Sequence, residues 1–474
     1  MYNRRDQVQA HAFLEKRLVA AVLRAEPDGL ESPLRRTPNG VLGGIIVAML
    51  VVAGVLVVAL LSPKGAQTWR KPGSLVVDKD TGASFVLAGD TLRPVLNLAS
   101  ARLLLGDDMS VAAVSGSALV GVPRGNPVGI MGAPDALPQP GDPARSWSVC
   151  AITVEAEGVD RAGVALRVDR VDVTGEAPRP DERALLARAA DNSLHLVWRD
   201  RRIAVRNDWA LRAVGIDPAS AVAVRDSWLD ALPVGPDLVA PVPSLGQPGP
   251  VIDGRPTVTG QMLAVPALPQ RRIYLVAPDG LIPLTELATA LLMGDPASAQ
   301  AYGTGRIVPI EVSQASIATA TMLPALPWQA ELPATPPKVL RGDVAVDGGV
   351  PCLRTVTGDT TVGDNSFGTV LVVEPEPDPT GSGADGPGVT RDAKVADRVL
   401  VGPGAGLLTR SAPAPGVAGA GLFLVTEGGV RFPVADGEAA SALGLPADRA
   451  SAVPTRFIEM LPTGPLLSRA PTGP

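Results

Sequence analysis

The feature that most constrains this chain is an uninterrupted apolar run from Val41 to Leu61, VLGGIIVAMLVVAGVLVVALL. The run contains no charged residue and no proline. As a helix rising about 1.5 Å per residue it would be about 30 Å long, the hydrocarbon thickness of a bilayer. A cleaved signal peptide would be shorter and closer to the start of the chain, whereas 40 residues precede this run. The sequence therefore predicts a transmembrane helix over 41–61, held in the lipid bilayer, and a tail over 1–40.

Local charge does not decide which way this helix faces. Basic residues lie on both sides of the run, so the positive-inside rule favours neither orientation. Both cysteines, Cys150 and Cys352, follow the run, and disulfides persist outside the reducing cytosol. If the two cysteines are bonded, the tail is cytosolic and the C-terminal part is extracytoplasmic. Two buried free thiols remain the alternative, and the cysteines are too far apart for a CxxC metal or redox motif.

The tail has a helical pattern of its own. Between Gln7 and Arg24, apolar residues recur among charged ones at helical spacing, namely Val8, Leu14, Leu18, Ala21 and Val22. Such a helix could dock on a cytosolic partner or lie on the bilayer surface, and the pattern alone favours neither.

The part after the membrane run contains a degenerate repeat. Each copy opens with two apolar strands around a turn, and Gly accepts the positive φ of a tight turn. A helical run, a turn such as Asp217-Pro218-Ala219-Ser220 and a second helix follow. The sequence thus predicts four ββαα-type repeats. Their openings are LVVDKDTGASFVL from Leu75, LHLVWRDRRIAV from Leu194, IYLVAPDGLIPL from Ile273 and LFLVTEGGVRFPV from Leu422.

Two of the copies also end alike, with ALPVGPDL from Ala231 and MLPTGPLL from Met460. A looser version, GVPRGNPV, follows the first copy from Gly121. One such unit buries little surface alone, so neighbouring units or a central domain must cover its apolar face.

Two strand-rich segments between the repeats each carry one cysteine. They predict a central β domain, whose two halves a Cys150–Cys352 bond would join. The expected fold class is α+β, with repeats 2 and 3 inserted into the central domain. The predicted boundaries are 1–40 tail, 41–61 transmembrane helix, 62–130 repeat 1, 146–193 and 339–373 central domain, 194–241 repeat 2, 272–323 repeat 3, 374–394 flexible loop and 395–474 repeat 4 with its lead-in.

The sequence offers no recognisable catalytic, cofactor or metal site. The net charge of −6 argues against a nucleic-acid partner. A P-loop needs a lysine directly after a glycine, and no lysine here follows one. The glycine-rich stretch 402–406 is therefore interpreted as a structural turn. His195 is the only histidine after the membrane run. It lies in a strand of alternating apolar residues, which favours a structural histidine.

Several segments resemble the EccB family, core membrane-complex subunits of the type VII (ESX) secretion system. The resemblance covers essentially the whole chain, and the joint order of the segments is specific. The segments are QVQAHAFLEKRLVAAVL from Gln7, QTWRKPGSLVVDKDTGASFVL from Gln67, ASARLLLG from Ala99, GVPRGNPVGIMGAPDALP from Gly121 and WSVC from Trp147.

The resemblance implies a role that composition does not show. Proteins of this family form the inner-membrane export complex together with EccC, an FtsK-type ATPase, with EccD, EccE and a mycosin protease, and with other EccB copies. The complexes are hexameric in protomers. The family fold has one membrane helix and a periplasmic region of four repeats around a central domain with one disulfide, which here implies the pair Cys150 and Cys352.

Two other functions stay open from the sequence. A cell-wall-binding module would need exposed aromatic side chains, and the chain has only six Trp, three Tyr and six Phe. An ATPase would match a label that the family has carried, but no nucleotide-binding motif supports it. The sequence favours a structural scaffold that links a cytosolic motor to an extracytoplasmic assembly.

Overall fold

The fold was established from a computed structural model, which divides into two compact units. The first holds Met1–Lys71, Asp78–Thr81 and Ala112–Val120, and the second holds the remaining residues. The described residues are 4–24, 37–61, 67–71, 73–139, 145–170, 183–266, 271–303, 305–340, 349–357, 368–378, 385–414, 416–417 and 419–469.

Two helices open the chain, α1 (Arg4–Arg24) and α2 (Thr37–Leu61). Helix α1 carries the predicted tail stripe, and Leu14 and Leu18 on it are exposed. Helix α2 starts before the predicted run because Pro38 is tolerated in a first turn, where its missing N–H has no helical partner. Among the described residues α2 alone is long and apolar enough to cross a membrane, with a mean hydropathy of 2.8 over Gly40–Val57.

An antiparallel meander, sheet 1, follows the two helices. The side chain of Asn97 caps the helix after it by accepting from the Ser100 N–H at 2.9 Å. The last strand begins beside the first, where the Ser110 N–H donates to the Gly73 carbonyl. The elements are β1 (Ser74–Asp78), β2 (Ser84–Ala88), β3 (Thr91–Pro94), α3 (Leu98–Leu105) and β4 (Ser110–Val114).

A long hairpin then starts the central sheet, and sheet 2 comes after it. Glu157 and Gly158, between the two hairpin strands, both have positive φ, which suits a two-residue turn. The elements are β5 (Arg145–Ala156), β6 (Val159–Arg170), β7 (Ala184–Arg188), β8 (Leu194–Trp198), β9 (Arg201–Val205), α4 (Asp208–Ala213), β10 (Val222–Ala223) and α5 (Asp226–Asp230).

A separate hairpin precedes sheet 3, whose outer surface it covers. Ile252 of the hairpin packs with Leu263 and Val276 of the sheet. The elements are β11 (Pro248–Ile252), β12 (Arg255–Val258), β13 (Met262–Val265), β14 (Arg272–Ala277), β15 (Gly280–Pro283), α6 (Glu286–Gly294), α7 (Ala299–Tyr302), β16 (Ile310–Glu311), α8 (Gln314–Thr319) and α9 (Pro327–Glu331).

The chain then returns to the central sheet, whose strand order is β19-β18-β5-β6-β20, and ends in sheet 4. A short strand, β17, pairs with β7 of sheet 2 on the way. The elements are β17 (Val339–Leu340), β18 (Gly349–Thr357), β19 (Thr369–Pro375), β20 (Arg398–Val401), β21 (Leu407–Ala412), β22 (Leu422–Val425), β23 (Arg431–Val434), α10 (Gly437–Ala442), β24 (Ser451–Pro454) and α11 (Thr455–Glu459).

The predicted ββαα unit lacks two strands that the structure contains. Each of the four segments has three antiparallel strands, a helix and a fourth strand, and in sheets 2, 3 and 4 the fourth strand runs parallel to the first. The hairpin predicted in segment 1 consists of the first and second strands of its sheet. The hairpins predicted in the other three segments consist of the second and third strands. The missed first strands of sheets 2 and 3 are short and buried without alternation, so periodicity does not reveal them.

Several predicted boundaries also differ from the sheets. Strand β7 lies within 146–193, the predicted central segment, yet it pairs with β8 of sheet 2. Strand β20 lies within the predicted 395–474 segment but pairs with β6 of the central sheet. The predicted 374–394 loop starts at Glu374, which is buried in β19, and its Thr390 N–H bonds to the Thr463 carbonyl. Residues 379–384 lie outside the described residues.

One face of the central sheet, which we call the apolar face, shares a hydrophobic core with sheets 2 and 4. Trp147, Leu166 and Leu353 of the central sheet belong to this core, along with side chains from both outer sheets. A second core joins sheet 2 to sheet 3 through α4 and α6, and a third joins sheet 4 to α3 of segment 1. Sheets 2 and 4 thus both pack on the apolar face, while sheet 3 packs on sheet 2 and α3 of segment 1 packs on sheet 4.

Candidate functional site

The opposite face of the central sheet, which we call the disulfide face, holds both cysteines. Cys150 on β5 is directly opposite Cys352 on β18, with the Cα atoms 3.9 Å apart and the sulfurs bonded at 2.07 Å. Both side chains are fully buried. The bond closes a separation of 202 residues that contains sheets 2 and 3, so it joins the two halves of the central sheet.

A buried carboxylate lies beside this bond. Glu374 on β19 accepts hydrogen bonds from Arg354 Nε at 2.6 Å and from Ser148 Oγ at 2.9 Å. The sulfurs and this carboxylate form the only grouping among the described residues that is close enough to hold a metal ion. Bonded sulfurs offer no thiolate, and the carboxylate is already neutralised by Arg354, so the group fits a structural role and not a metal site.

The glycine-rich stretch 402–406 binds a buried arginine. Arg145 Nε donates to the Ala405 carbonyl at 3.1 Å, and Arg145 Nη2 donates to the Gly404 and Gly406 carbonyls at 3.0 and 3.3 Å. Gly404 has φ +67°, a conformation that glycine adopts freely. A phosphate loop points backbone N–H groups at an anion, whereas this loop points carbonyls at a cation. The Gly404 N–H in turn donates to the Glu427 carboxylate at 2.8 Å, so backbone groups of this loop are already bonded to side chains of the protein.

The only histidine after the membrane helix is not part of a triad. His195 Nε2 lies 3.1 Å from Ser193 Oγ, but the nearby Asp191 accepts from the Ser193 N–H and not from the imidazole. His195 Nδ1, which a triad carboxylate would hold, is buried without a partner. Burial, followed by the nearby Arg202 charge, lowers the pKa of His195, which keeps the ring neutral. The expectation of a strand histidine with a structural role fits this geometry.

The shared endings seen in the sequence cover exposed sheet edges. In sheet 2 the Arg202 N–H donates to the Pro233 carbonyl and the Gly235 N–H donates back to Arg202. Sheet 4 repeats the pattern with Arg431, Pro462 and Gly464. Because an unpaired third strand would be a site for aggregation, these proline-glycine segments protect the edge.

The same cover occurs in the other two sheets with different residues. In sheet 1 the Leu92 N–H donates to the Pro123 carbonyl and the Gly125 N–H donates to Leu92. In sheet 3 the Leu281 N–H donates to the Thr321 carbonyl, and the Leu323 N–H donates to the Leu281 carbonyl. The sequence analysis missed this segment because no glycine marks it. In sheet 3 the glycine lies in the strand instead, because a Cβ on Gly280 would clash with the Thr321 carbonyl oxygen.

The aromatic side chains in the described part of residues 67–469 are all at least partly buried. Stacking on sugars needs accessible ring faces.

Comparison with known proteins gives one consistent family. The family described as "Type VII secretion system ESX-1, transport TM domain B" matches residues 2–472. The ESX-5 secretion system ATPase EccB5 of Mycobacterium tuberculosis is 31% identical, over 98% of this chain and 92% of the relative. The ESX-3 secretion system ATPase EccB3 of Mycolicibacterium smegmatis is 29% identical, over 98% and 89%.

Solved structures give the same family. A chain of the intact ESX-5 inner membrane complex has a TM-score of 0.67 and 29% identity, covering 99% of this chain and 95% of that one. The EccB3 dimer from the ESX-3 core complex has a TM-score of 0.66 and 25% identity, over 83% and 98%.

Proposed function

The chain belongs to the EccB family of type VII secretion membrane proteins, and from this premise we propose that it is a structural core subunit of an ESX inner-membrane complex. The observation that carries the proposal is the extent of the match, since the similarity to a subunit of an intact ESX-5 inner membrane complex covers 99% of this chain. The match thus includes the membrane-spanning helix as well as the sheets. The extent of the match and the one candidate membrane helix among the described residues together support a single-pass inner-membrane protein.

The structure supports a scaffold because its polar groups serve the fold. The disulfide, the Glu374 carboxylate and the Arg145 guanidinium each hold two parts of the chain together. None of them presents a free reactive atom at a cleft. Shared hydrophobic cores connect the central sheet with sheets 2 and 4, sheet 2 with sheet 3, and sheet 4 with α3 of segment 1. Connected sheets of this kind suit a subunit that holds several partners.

We further propose that the four outer sheets are copies of one structural unit. Asp217 and Asp295 start the same turn, each accepting at 2.9 Å from the N–H two residues later. Asn97, Thr285 and Asp436 cap the helices of segments 1, 3 and 4 in the same way, each accepting from the N–H three residues later. Independent sheets would not need these repeated local bonds.

The proposed topology places the N-terminus in the cytosol and the disulfide outside it. Disulfides persist outside the reducing cytosol, and Cys150 and Cys352 both follow α2. Helix α1 would then present its exposed apolar stripe to a cytosolic partner of the complex. EccC, EccD, EccE, a mycosin protease and other EccB copies stay predictions for this chain.

Removal of the tail tests this function. A variant without residues 1–38 should keep the fold of the sheets but lose assembly, because the stripe on α1 has been removed. The measurement is extraction in mild detergent followed by identification of what copurifies. Copurification of an FtsK-type ATPase with the parent and not with the variant is the expected result.

A finer test keeps the tail and changes only its faces. Leu14→Asp with Leu18→Asp places two charges on the stripe, whereas Gln9→Asp with Lys16→Asp places two acidic residues on the opposite face. Assembly should fail only in the first variant. Equal assembly of both variants and of the tail deletion would contradict the proposed scaffold role of the tail.

We favour a scaffold over the hydrolase that the names of the relatives indicate. The relatives are named ATPases, but the backbone groups of loop 402–406 are already bonded to the side chains of Arg145 and Glu427. Purified protein should show no ATP turnover that survives further purification. Turnover that stays constant per mole of protein would overturn this preference, and sedimentation with purified peptidoglycan would support the cell-wall alternative instead.

A further inference from the structure

A small pocket lies in segment 4, between one face of sheet 4 and helix α11. Its volume is about 240 Å³, below the roughly 300–1,000 Å³ of sites for whole small molecules, so it suits a single small group. Arg431 and Phe423 project from the same face of the sheet, because Arg431 is directly opposite Val425 and every second residue of a strand shares a face. The pocket is lined by Ser411, Phe423 and Arg431 of the sheet and by Thr455, Glu459 and Thr463 after it.

The guanidinium of Arg431 is only partly satisfied by the protein. Its Nε donates to Thr463 Oγ1 at 2.8 Å, and its Nη1 donates to the Ile458 carbonyl at 2.8 Å. Within the described part of the chain, Nη2 has no acceptor and no carboxylate forms an ion pair with Arg431. Burial lowers the pKa of Arg431 even though two acidic residues lie nearby. The pocket therefore contains a cation that its surroundings do not fully neutralise.

The equivalent arginine of segment 2 does have an acidic partner. Arg202 holds the place of Arg431, since each donates its backbone N–H to the proline carbonyl of a Leu-Pro-x-Gly ending. Arg202 Nη1 forms an ion pair at 2.9 Å with Asp230, the last residue of α5. The structural unit thus accommodates a carboxylate against this arginine.

In segment 4 the matching acid is bonded to other cations. Glu459 ends α11 as the acid of the segment 2 ion pair ends α5. Its Oε2 lies 3.1 Å from Lys394 Nζ and 3.3 Å from Arg456 Nη1. At the start of the same helices, Asp226 of segment 2 corresponds to Thr455, which carries no charge. Segment 4 therefore keeps the arginine but lacks a carboxylate of its own for it.

We propose that this pocket binds a carboxylate group of a ligand, with Arg431 as its counter-ion and the hydroxyls of Ser411 and Thr455 as further donors. Neither hydroxyl has a hydrogen-bond partner among the described residues. An ionised carboxylate accepts through both oxygens, and its bonds to a guanidinium are short and charge-assisted. The nearby Glu459 and Asp392 charges favour a monoanion over a phosphate dianion, because like charges repel.

The test uses the full-length protein in detergent micelles at about pH 8, where phosphate is mostly a dianion. The probes are N-acetyl-glutamate N-methylamide and N-acetyl-glutamine N-methylamide, which differ only in the carboxylate. Saturation-transfer NMR should show saturable binding of the glutamate probe. The glutamine probe should bind about tenfold to hundredfold more weakly, the usual loss when a hydrogen bond to a charged group is removed. Inorganic phosphate should also bind more weakly than the glutamate probe.

A further probe, N-acetyl-alanine, carries its carboxylate at a chain end. Tighter binding of this probe than of the glutamate probe assigns the site to a chain terminus, and the reverse order assigns it to an acidic side chain. Both results support a carboxylate site, whereas failure of both probes to bind overturns it.

Three variants locate the binding in this pocket. Thr455→Asp restores an acid at the start of α11 and should abolish binding, because the new carboxylate repels the ligand and competes for Arg431. Thr321→Asp, at an exposed position of segment 3, is the matched control and should bind like the parent. Ser411→Ala removes one donor and should weaken binding about twofold to tenfold.

Melting temperatures establish which variants are folded, and Ser411→Ala decides the question if Thr455→Asp does not fold. The proposal is overturned by equal binding of the glutamate and glutamine probes or by tighter binding of phosphate than of the glutamate probe. Binding equal to that of the parent in both folded pocket variants also overturns it.

Discussion

The two faces of the central sheet are stabilised in different ways. The apolar face buries Trp147, Leu166 and Leu353 against side chains from sheets 2 and 4, so its stability is spread over a wide contact. The disulfide face has a small buried cluster around Cys150 and Cys352, with one carboxylate beside it. The stability of the apolar face depends on buried area, and the stability of the disulfide face depends on a few specific bonds.

This difference indicates how each face tolerates change. Burial of apolar area contributes roughly 25 cal/mol per Å², so losing part of a large contact costs a part of the total. A covalent bond or a buried ion pair is lost completely when one partner is replaced. We therefore expect single substitutions on the disulfide face to have the larger effects, and the following predictions test that order.

Cys352→Ser should produce the largest loss. The bond spans a separation of 202 residues, and chain-entropy arguments give about 5 kcal/mol for closing a loop of that length. Denaturant unfolding of the full chain in detergent measures the loss, and Cys150→Ser should match it because either change removes the same bond. An unfolding midpoint equal to that of the parent would show that the disulfide face does not depend on its bond.

Trp228→Ala should produce the next largest loss. Trp228 of α5 is fully buried in the core on the apolar face, and its Nε1 donates to the Val149 carbonyl at 2.9 Å. Replacing a buried tryptophan by alanine costs about 3–5 kcal/mol. Trp228→Phe keeps much of the packing and should lose markedly less. If the two variants are equally destabilised, the hydrogen bond and not the area dominates, and the comparison of the faces fails.

Asp397→Asn tests a bond at the edge of the apolar face. Asp397 Oδ2 accepts from the Val164 N–H at 2.8 Å and from Arg225 Nη1 at 2.7 Å, so it links the central sheet to segment 2. Removing the charge while keeping the shape should cost about 2 kcal/mol, the usual worth of a hydrogen bond to a charged group. Thermal unfolding at low and high salt provides the measurement, and a change below experimental error would make this link dispensable.

His195→Gln should produce the smallest effect, and only in acid. The ordinary pKa of histidine is 6.5, and burial lowers the pKa of His195 in the folded protein. The unfolded chain then binds a proton more readily as pH falls below about 6.5, so the parent loses stability in that range and keeps it above. Midpoints measured from pH 7.5 to pH 5 should fall less steeply in the variant. Parallel curves would show that His195 carries no such linkage.

The sequence predicted some elements well because they depend on local pattern. The apolar run 41–61 lies within α2 (Thr37–Leu61), and the tail stripe lies on α1 (Arg4–Arg24). Glycine marks three of the four predicted hairpin turns, and the second copy has Asp200-Arg201 in its place. Strands such as β10 (Val222–Ala223) and β16 (Ile310–Glu311) were missed because two residues carry no periodicity and pair only with a distant strand.

The candidate sites show the same division. The absence of a lysine after any glycine already argued against a phosphate loop, but only the Arg145 contact shows what the glycines at 402–406 bind. The group of Ser148, Arg354 and Glu374 beside the disulfide was not predictable, because the three residues come from three strands up to 226 positions apart.

By itself the sequence determined the long apolar helix and the hairpins of the four segments, since each of these depends on neighbouring residues. The tertiary structure decided that Cys150 meets Cys352, that segment 1 packs on segment 4 and that sheets 2 and 4 share one face of the central sheet. The physical reason is that such contacts are selected by the burial of whole faces, which no local stretch of sequence encodes.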